Sequence, residues 1–218
     1  LPDSPGSVLD TTRALRWMNA AADAVDREAD RLTELDSPIG DADHGTNLRR
    51  GFTAVRQGLR DDQPSGPGPV LLLSGRLLVS KVGGASGPLY GTLLRRAGKA
   101  LGDESAADGR QVAAALRIGV EAVAQLGGAA QGDKTMLDAL FPALTALEEA
   151  LESGEDLADA LAAAGRAAAE GATATVPLRA RRGRASYLGE RSVGHEDPGA
   201  ASSVLLVTAL AEAVGAGE

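Results

Sequence analysis

Three aspartates, Asp36, Asp41 and Asp43, fall within eight residues of one another, and the stretch around them reads Ile39-Gly40-Asp41-Ala42-Asp43-His44-Gly45-Thr46-Asn47. Helix interiors do not carry carboxylates and glycines at this density. Asp41 and Asp43, at alternate positions, repel each other unless a cation sits between them. Hard cations such as Mg²⁺ take oxygen ligands and bind through a few carboxylates together with substrate phosphates. A metal loop that holds a phosphorylated ligand is therefore one reading of the segment. The other is a solvated turn with N-capping aspartates, because Asp and Gly both favour turns and caps.

Further loops carry the same kind of chemistry. Gly83-Gly84-Ala85-Ser86-Gly87-Pro88 allows close backbone approach, and Pro88 suits the first turn of a helix. Backbone N–H groups at that helix start, with the Ser86 hydroxyl, would suit a phosphate; the alternative is a plain helix–helix turn. Gly132-Asp133-Lys134-Thr135-Met136 and His195-Glu196-Asp197-Pro198-Gly199 also precede helices. Met136 is either a wall for a flat base or a core residue. With two histidines the chain is too poor for a histidine-based metal centre. His44, inside the acidic loop, is a candidate phosphate contact, while His195 reads as a structural or rim residue.

The elements that must position these loops are helical. Apolar periodicity bounded by breakers predicts helices over about 7–33, 45–60, 69–82, 88–101, 108–126, 135–152, 156–175 and 199–214. In the first, Leu15, Met18, Ala22, Val25 and Ala29 share a face. In the second, Leu48, Phe52 and Val55 do. Val70-Leu71-Leu72-Leu73 could pass for a buried strand, but the helix is preferred. If the bundle is antiparallel, alternate connections share one end, and the four loops would meet there. The stretch 176–198 lacks convincing periodicity. It carries Arg179, Arg181, Arg182, Arg184 and Arg191 in a chain of net charge −8. It is read as a solvated basic loop or as a lid over an anionic ligand.

Composition agrees. The 218 residues are 44% hydrophobic but only 2% aromatic, so the core is built from Ala, Leu and Val, which favours an all-α domain. The acidic balance argues against non-specific binding to nucleic acid or anionic membranes. No apolar run reads as long enough to span a bilayer. The absence of cysteine excludes disulfides and thiolate metal sites and fits a reducing cytoplasm. The start, Leu1-Pro2-Asp3-Ser4-Pro5-Gly6, shows no signal-peptide pattern, lacks an initiator Met and is expected to be flexible.

Five blocks, taken together, carry a family resemblance. They are Leu35-Asp36 with Ile39–Gly45, Val82–Gly91, Gly132–Met136, Gly183–Arg191 and Gly194–Ala200. In this order, across essentially the whole chain, they resemble the L domain of the dihydroxyacetone kinase family. The resemblance implies one DhaL-like domain over residues 1–218: an antiparallel eight-helix barrel with the nucleotide at one end and 176–198 as its lid. It implies that Asp36, Asp41 and Asp43 hold two Mg²⁺ ions against the diphosphate of ADP or ATP. His44, Gly45, Thr46, Asn47, Ala85 and Ser86 match nucleotide and phosphate contacts. Gly127 and Met136 match positions lining the nucleotide pocket. Arg184, the catalytic candidate, and Asp197, Pro198 and Gly199 match the loop that closes over it.

The family divides by phosphate donor. In one branch the L domain is fused to a dihydroxyacetone-binding K domain and uses ATP. In the other it is a separate subunit whose bound ADP is re-phosphorylated by a phosphocarrier M subunit of the phosphotransferase system, with dihydroxyacetone held on a K subunit. This chain ends with its eighth helix, so the resemblance is to the separate, cytoplasmic subunit, expected as a homodimer or a hetero-oligomer with K. Alternatives are a non-catalytic ADP-binding regulatory module, the L component of an ATP-dependent glycerone or related kinase, and the N-terminal domain of fatty-acid kinases. The last carry a Pro-Asp-Gly-Asp-Thr-Gly-Thr-Asn type of loop, unlike the one here.

Overall fold

The computed structural model describes residues 7–216. The flexible start expected over residues 1–6 lies outside the described residues. Helix α1 (Thr11–Asp36) begins where Asp10 accepts a hydrogen bond from the Arg13 amide at 2.8 Å. Its inward stripe includes Ala14, Met18, Val25, Ala29 and Leu32, with Leu15 at the edge. Helix α2 (His44–Asp62) buries Leu48, Phe52 and Val55 as the periodicity requires. Then follow α3 (Pro67–Lys81), α4 (Ser86–Leu101), α5 (Gly109–Gly127), α6 (Leu137–Glu152), α7 (Leu157–Thr173) and α8 (Pro198–Gly215). Each helix packs on the next, and α8 packs back on α1, which closes the ring. Trp17 joins the two ends of the chain: it is buried, and its indole N–H donates to the Leu206 carbonyl at 2.9 Å.

Short connections between packed neighbours make successive helices antiparallel from α1 to α7, and the long connection to α8 lines the same cavity as the other odd-to-even connections. The odd-to-even connections, 37–43, 82–85, 128–136 and 174–197, therefore lie at one end. The other end carries 63–66, 102–108 and 153–156. There Val8–Asp10 (β1) pairs antiparallel with Ala106–Asp108 (β2), Leu9 opposite Ala107. The expected first helix thus starts at Thr11 instead of residue 7, with Val8–Asp10 in a strand, because Asp10 caps α1 and β2 offers an edge. Val70–Leu73 is helical, and α3 starts at Pro67 rather than 69. Helix α4 starts at Ser86, which places Pro88 inside its first turn.

Two findings correct the sequence reading. By length and composition α8 could cross a membrane, with a mean hydropathy of 1.4 over 18 residues. It is a core helix here: Ala200, Ala201, Leu206, Ala209, Leu210 and Ala213 are buried, where it packs on α1 and α7. The basic loop is also structured. A 3₁₀ helix spans Arg184–Ser192, broken at Gly189, whose φ is 58°. The buried Ser192 hydroxyl accepts from the Ala180 amide at 2.9 Å and donates to the Gly189 carbonyl at 2.6 Å. The Gly194 amide returns to the Val176 carbonyl at 2.8 Å.

A core so poor in aromatics closes by bringing helix backbones together. A Cβ on Gly91 of α4 would lie 2.3 Å from Val79 Cγ2 and 2.8 Å from the Gly75 carbonyl oxygen of α3. Backbone atoms cannot yield as a side-chain tip can. Gly91→Ala is expected to cost about 1–3 kcal/mol by overpacking, lowering the melting temperature by a few degrees to roughly ten. Gly165 of α7 has only Thr208 Oγ1 near, at 3.7 Å. Gly165→Ala is expected to raise the melting temperature, through about 0.4–1 kcal/mol of reduced unfolded-chain entropy. Thermal melts by circular dichroism check both signs; equal shifts would contradict the backbone-contact explanation.

Candidate metal and phosphate site

Asp36 organises the acidic loop. It closes α1 and is 7% exposed. Its carbonyl accepts from the Gly40 amide at 2.6 Å, and its Oδ2 accepts from the amides of Asp43 at 3.0 Å and His44 at 3.2 Å. The loop therefore wraps around this one carboxylate. A Cβ on Gly40 would lie 1.9 Å from Asp36 Oδ1, so no side chain fits there. Buried Ile39 pins the loop to the core, and Ala42 takes a φ of 57°. One carboxylate oxygen each from Asp36, Asp41 and Asp43 lie within 4.8 Å of one another. Like charges at this spacing repel by about 1–4 kcal/mol per pair, depending on how much water reaches them. Three hard oxygen donors without thiolate or imidazole suit Mg²⁺ or a similar cation.

All four connections at this end meet around a cavity of about 480 Å³. Asp36, Asp41, Asp43 and His44 line it from the first loop, Ala85 and Ser86 from the second, Gly127 and Met136 from the third. Arg184, Asp197, Pro198 and Gly199 complete it from the fourth. Leu89, Val123, Leu126 and Met136 give it apolar wall. No side chain caps the start of α4, which leaves its first N–H groups for an anion beside Ser86. Three expected contacts stand off the cavity lining. Gly45 lies against α1, where a Cβ would meet the Ala29 carbonyl oxygen at 1.8 Å. Asn47 is buried, with its side chain against Gly83, and Thr46 is exposed.

Beneath the cavity runs a polar network that the sequence did not reveal. His44 Nε2 pairs with Ser202 Oγ at 2.9 Å, and Ser202 pairs with the Tyr90 hydroxyl at 2.5 Å. Tyr90 also reaches Ser203 Oγ at 2.9 Å. Burial pushes the Tyr90 phenol up to about 12. Burial also pushes His44 below the ordinary imidazole range, against the pull of Asp36, Asp43 and Asp41. Tyr90 and Ser202 lie far apart in the sequence, on α4 and α8, so their mutual contact had no local signal there.

The basic loop leans on the acidic one. Arg184 Nη2 lies 3.2 Å from Asp41 Oδ2, although the Arg184 side chain is 73% exposed. Arg182 donates through Nε to the Gly128 carbonyl. Lys134, given no role from sequence, is almost fully buried and donates to carbonyls at both ends of the basic loop.

Asp197 caps α8, its Oδ2 accepting from the Ala200 amide at 2.8 Å. Loss of hydration pushes its carboxyl up to about 7, against the Ala200 amide and Lys134. The folded state thus holds a proton that the unfolded chain releases near the ordinary Asp value. The associated stability is complete below that value and is lost as pH rises toward about 7. Asn caps helices as well as Asp does. In chelator, the stability of wild type relative to Asp197→Asn is therefore expected to fall between pH 5 and pH 8 in urea titrations. A pH-independent difference would contradict the raised value.

Comparison with known proteins converges on one family. The DAK2 domain matches residues 38–212. The chain is 40% identical over 203 residues to the Escherichia coli (strain K12) PEP-dependent dihydroxyacetone kinase, ADP-binding subunit DhaL, covering 93% of this chain and 97% of that one. It is also 40% identical over 201 residues to D-erythrulose kinase of Mycolicibacterium smegmatis, where it spans only 35% of the longer protein. The crystal structure of the dihydroxyacetone kinase from C. freundii in complex with AMP-PNP and Mg²⁺ resembles it with a TM-score of 0.69 and 28% identity, over 91% of this chain and 33% of that one. Match length, identity and helical architecture agree: the chain belongs to the DAK2 domain family.

Proposed function

We propose that this chain is the nucleotide-binding L subunit of a dihydroxyacetone kinase. Its bound ADP accepts a phosphoryl group from a phosphocarrier M subunit charged from phosphoenolpyruvate. The group then passes to dihydroxyacetone on a separate K subunit, giving dihydroxyacetone phosphate. The observation that carries this reading is the cluster of three carboxylates within 4.8 Å at the edge of a cavity built by all four loops. The near full-length match to an ADP-binding subunit supports the separate-subunit form. We read residues 1–218 as one such domain, acting in the cytoplasm as a homodimer or in a hetero-oligomer with K.

In this reading Asp36, Asp41 and Asp43 hold two Mg²⁺ ions, which supply charge neutralisation to the diphosphate and the group in transfer. Asp36 is held in place for this by the two amides that donate to its Oδ2. His44 to Asn47 position the first turn of α2 against the phosphates, and Ala85 and Ser86 cradle them at the start of α4. Gly127 and Met136, with Leu89 and Leu126, take the base. Residues 176–198 form the lid, with Asp197-Pro198-Gly199 as its closing edge. Arg184, which pairs with Asp41 here, turns to the phosphoryl group and compensates its charge. No protein nucleophile is required, because the nucleotide itself carries the group.

Two variants test the roles. Asp41→Asn is expected to weaken ADP binding in Mg²⁺ by roughly tenfold or more, by removing a ligand charge, with an unchanged circular dichroism spectrum. Wild-type affinity in calorimetric titration would remove the metal-loop role. Arg184→Ala is expected to slow transfer to dihydroxyacetone about a hundredfold, since one charged contact in a water-poor site contributes roughly 3 kcal/mol to the transition state. Its exposure means the melting temperature should hardly change. The assay combines the chain with K subunit, phosphocarrier and phosphoenolpyruvate. Full activity in Arg184→Ala would return the loop to a solvated connection, and turnover on free ATP without phosphocarrier would overturn the proposed donor.

A further inference from the structure

Lys134 is 1% exposed, yet no carboxylate lies within ion-pair distance of it among the described residues. Its ammonium is met by backbone carbonyls instead. Nζ donates to Thr175 O at 2.8 Å, Leu178 O at 3.1 Å and His195 O at 2.5 Å, with Val176 O at 3.4 Å. Thr175 to Leu178 lead out of α7, and His195 leads back toward α8. One cation therefore ties the outgoing and returning ends of the basic loop together. Lys134 also lines the cavity, but its Nζ protons are directed to these backbone carbonyls.

The tie is built from both sides. Lys134 takes a φ of 65°, a left-handed backbone that non-glycine residues seldom adopt. Asp138 holds that turn by accepting from the amides of Gly132 at 2.5 Å and Thr135 at 2.8 Å. The Arg181 amide donates to the Asp133 carbonyl at 3.1 Å, and the Asp197 amide donates to Thr175 Oγ1 at 2.9 Å. The residues flanking these anchors, Met136 on one side and Arg184 and Asp197 on the other, line the cavity.

We propose that Lys134 is a positioning residue for nucleotide retention: its ammonium fixes the base of the basic loop over the cavity and so limits the rate at which nucleotide leaves. This rests on the nucleotide-binding role proposed above. The chain has no cysteine, so Lys134→Cys introduces a unique thiol. Aminoethylation of that thiol with bromoethylamine returns an ammonium on a stem of nearly the same length. Release of a fluorescent ADP analogue with Mg²⁺ is followed by chase with unlabelled ADP, well below the melting temperature. The expected result is release at least tenfold faster in Lys134→Cys, little change in association rate, and recovery after aminoethylation. Wild-type release from the folded variant overturns the proposal, as does a recovered melting temperature without recovered release.

A second measurement needs no variant. By hydrogen exchange on the nucleotide-free wild type, the amides of Ala180, Arg181, Gly194 and Asp197 are expected to be protected well above exposed turns. Free exchange there while the helices stay protected overturns the proposal even if Lys134→Cys fails to fold. If the wild type binds no ADP in Mg²⁺, the functional reading fails instead, and exchange still decides whether the tie exists.

Discussion

Three carboxylates held within 4.8 Å of one another are the constraint on which this end of the molecule depends. The fold spends structure on keeping them together rather than letting them relax apart. Asp36 is buried and engaged by two amides, Gly40 leaves no room for a side chain, and Ile39 anchors the turn in the core. Arg184 supplies the nearest opposing charge from the protein itself. An arrangement in which repulsion is designed in, and only partly offset, is what a binding site for a hard cation requires. The same arrangement would be a liability in a purely structural turn.

The rest of the fold brings three more loops to that point. Because each helix packs on its sequence neighbour, every odd-to-even connection arrives at the same end. The wall of the barrel is thin, since glycines such as Gly45, Gly75 and Gly91 let backbones touch where larger residues would hold them apart. Close packing of this kind is rigid, so loops anchored on it keep their spacing. Apolar side chains from α4, α5 and α6 and polar groups from the loops then share one cavity. That combination suits a ligand with a flat apolar part and a charged tail.

Much of this was legible in the sequence. Helix number, their approximate bounds and the shared end of the loops followed from periodicity and breakers, and twelve of the fifteen residues singled out for the site line the cavity. Gly45 and Asn47 instead pack beneath it and Thr46 points outward, because adjacent residues on a helix face different ways. What escaped the sequence was long-range. Pairing of Val8–Asp10 with Ala106–Asp108 depends on a partner strand roughly a hundred residues away. The His44–Ser202–Tyr90 network joins three helices, and a lysine satisfied by carbonyls alone has no local pattern. The basic loop looked structureless because its order comes from hydrogen bonds such as Ala180 to Ser192, which periodicity does not encode.

On this reading the acidic loop and the cavity beside it form a Mg²⁺-dependent site for ADP. Native mass spectrometry of the purified chain tests it most directly, before and after adding ADP with Mg²⁺ and then chelator. A dominant species carrying one ADP with Mg²⁺, lost when chelator is added, is the expected result. A chain that stays bare in excess ADP and Mg²⁺, or binds ADP equally well in chelator, would contradict it.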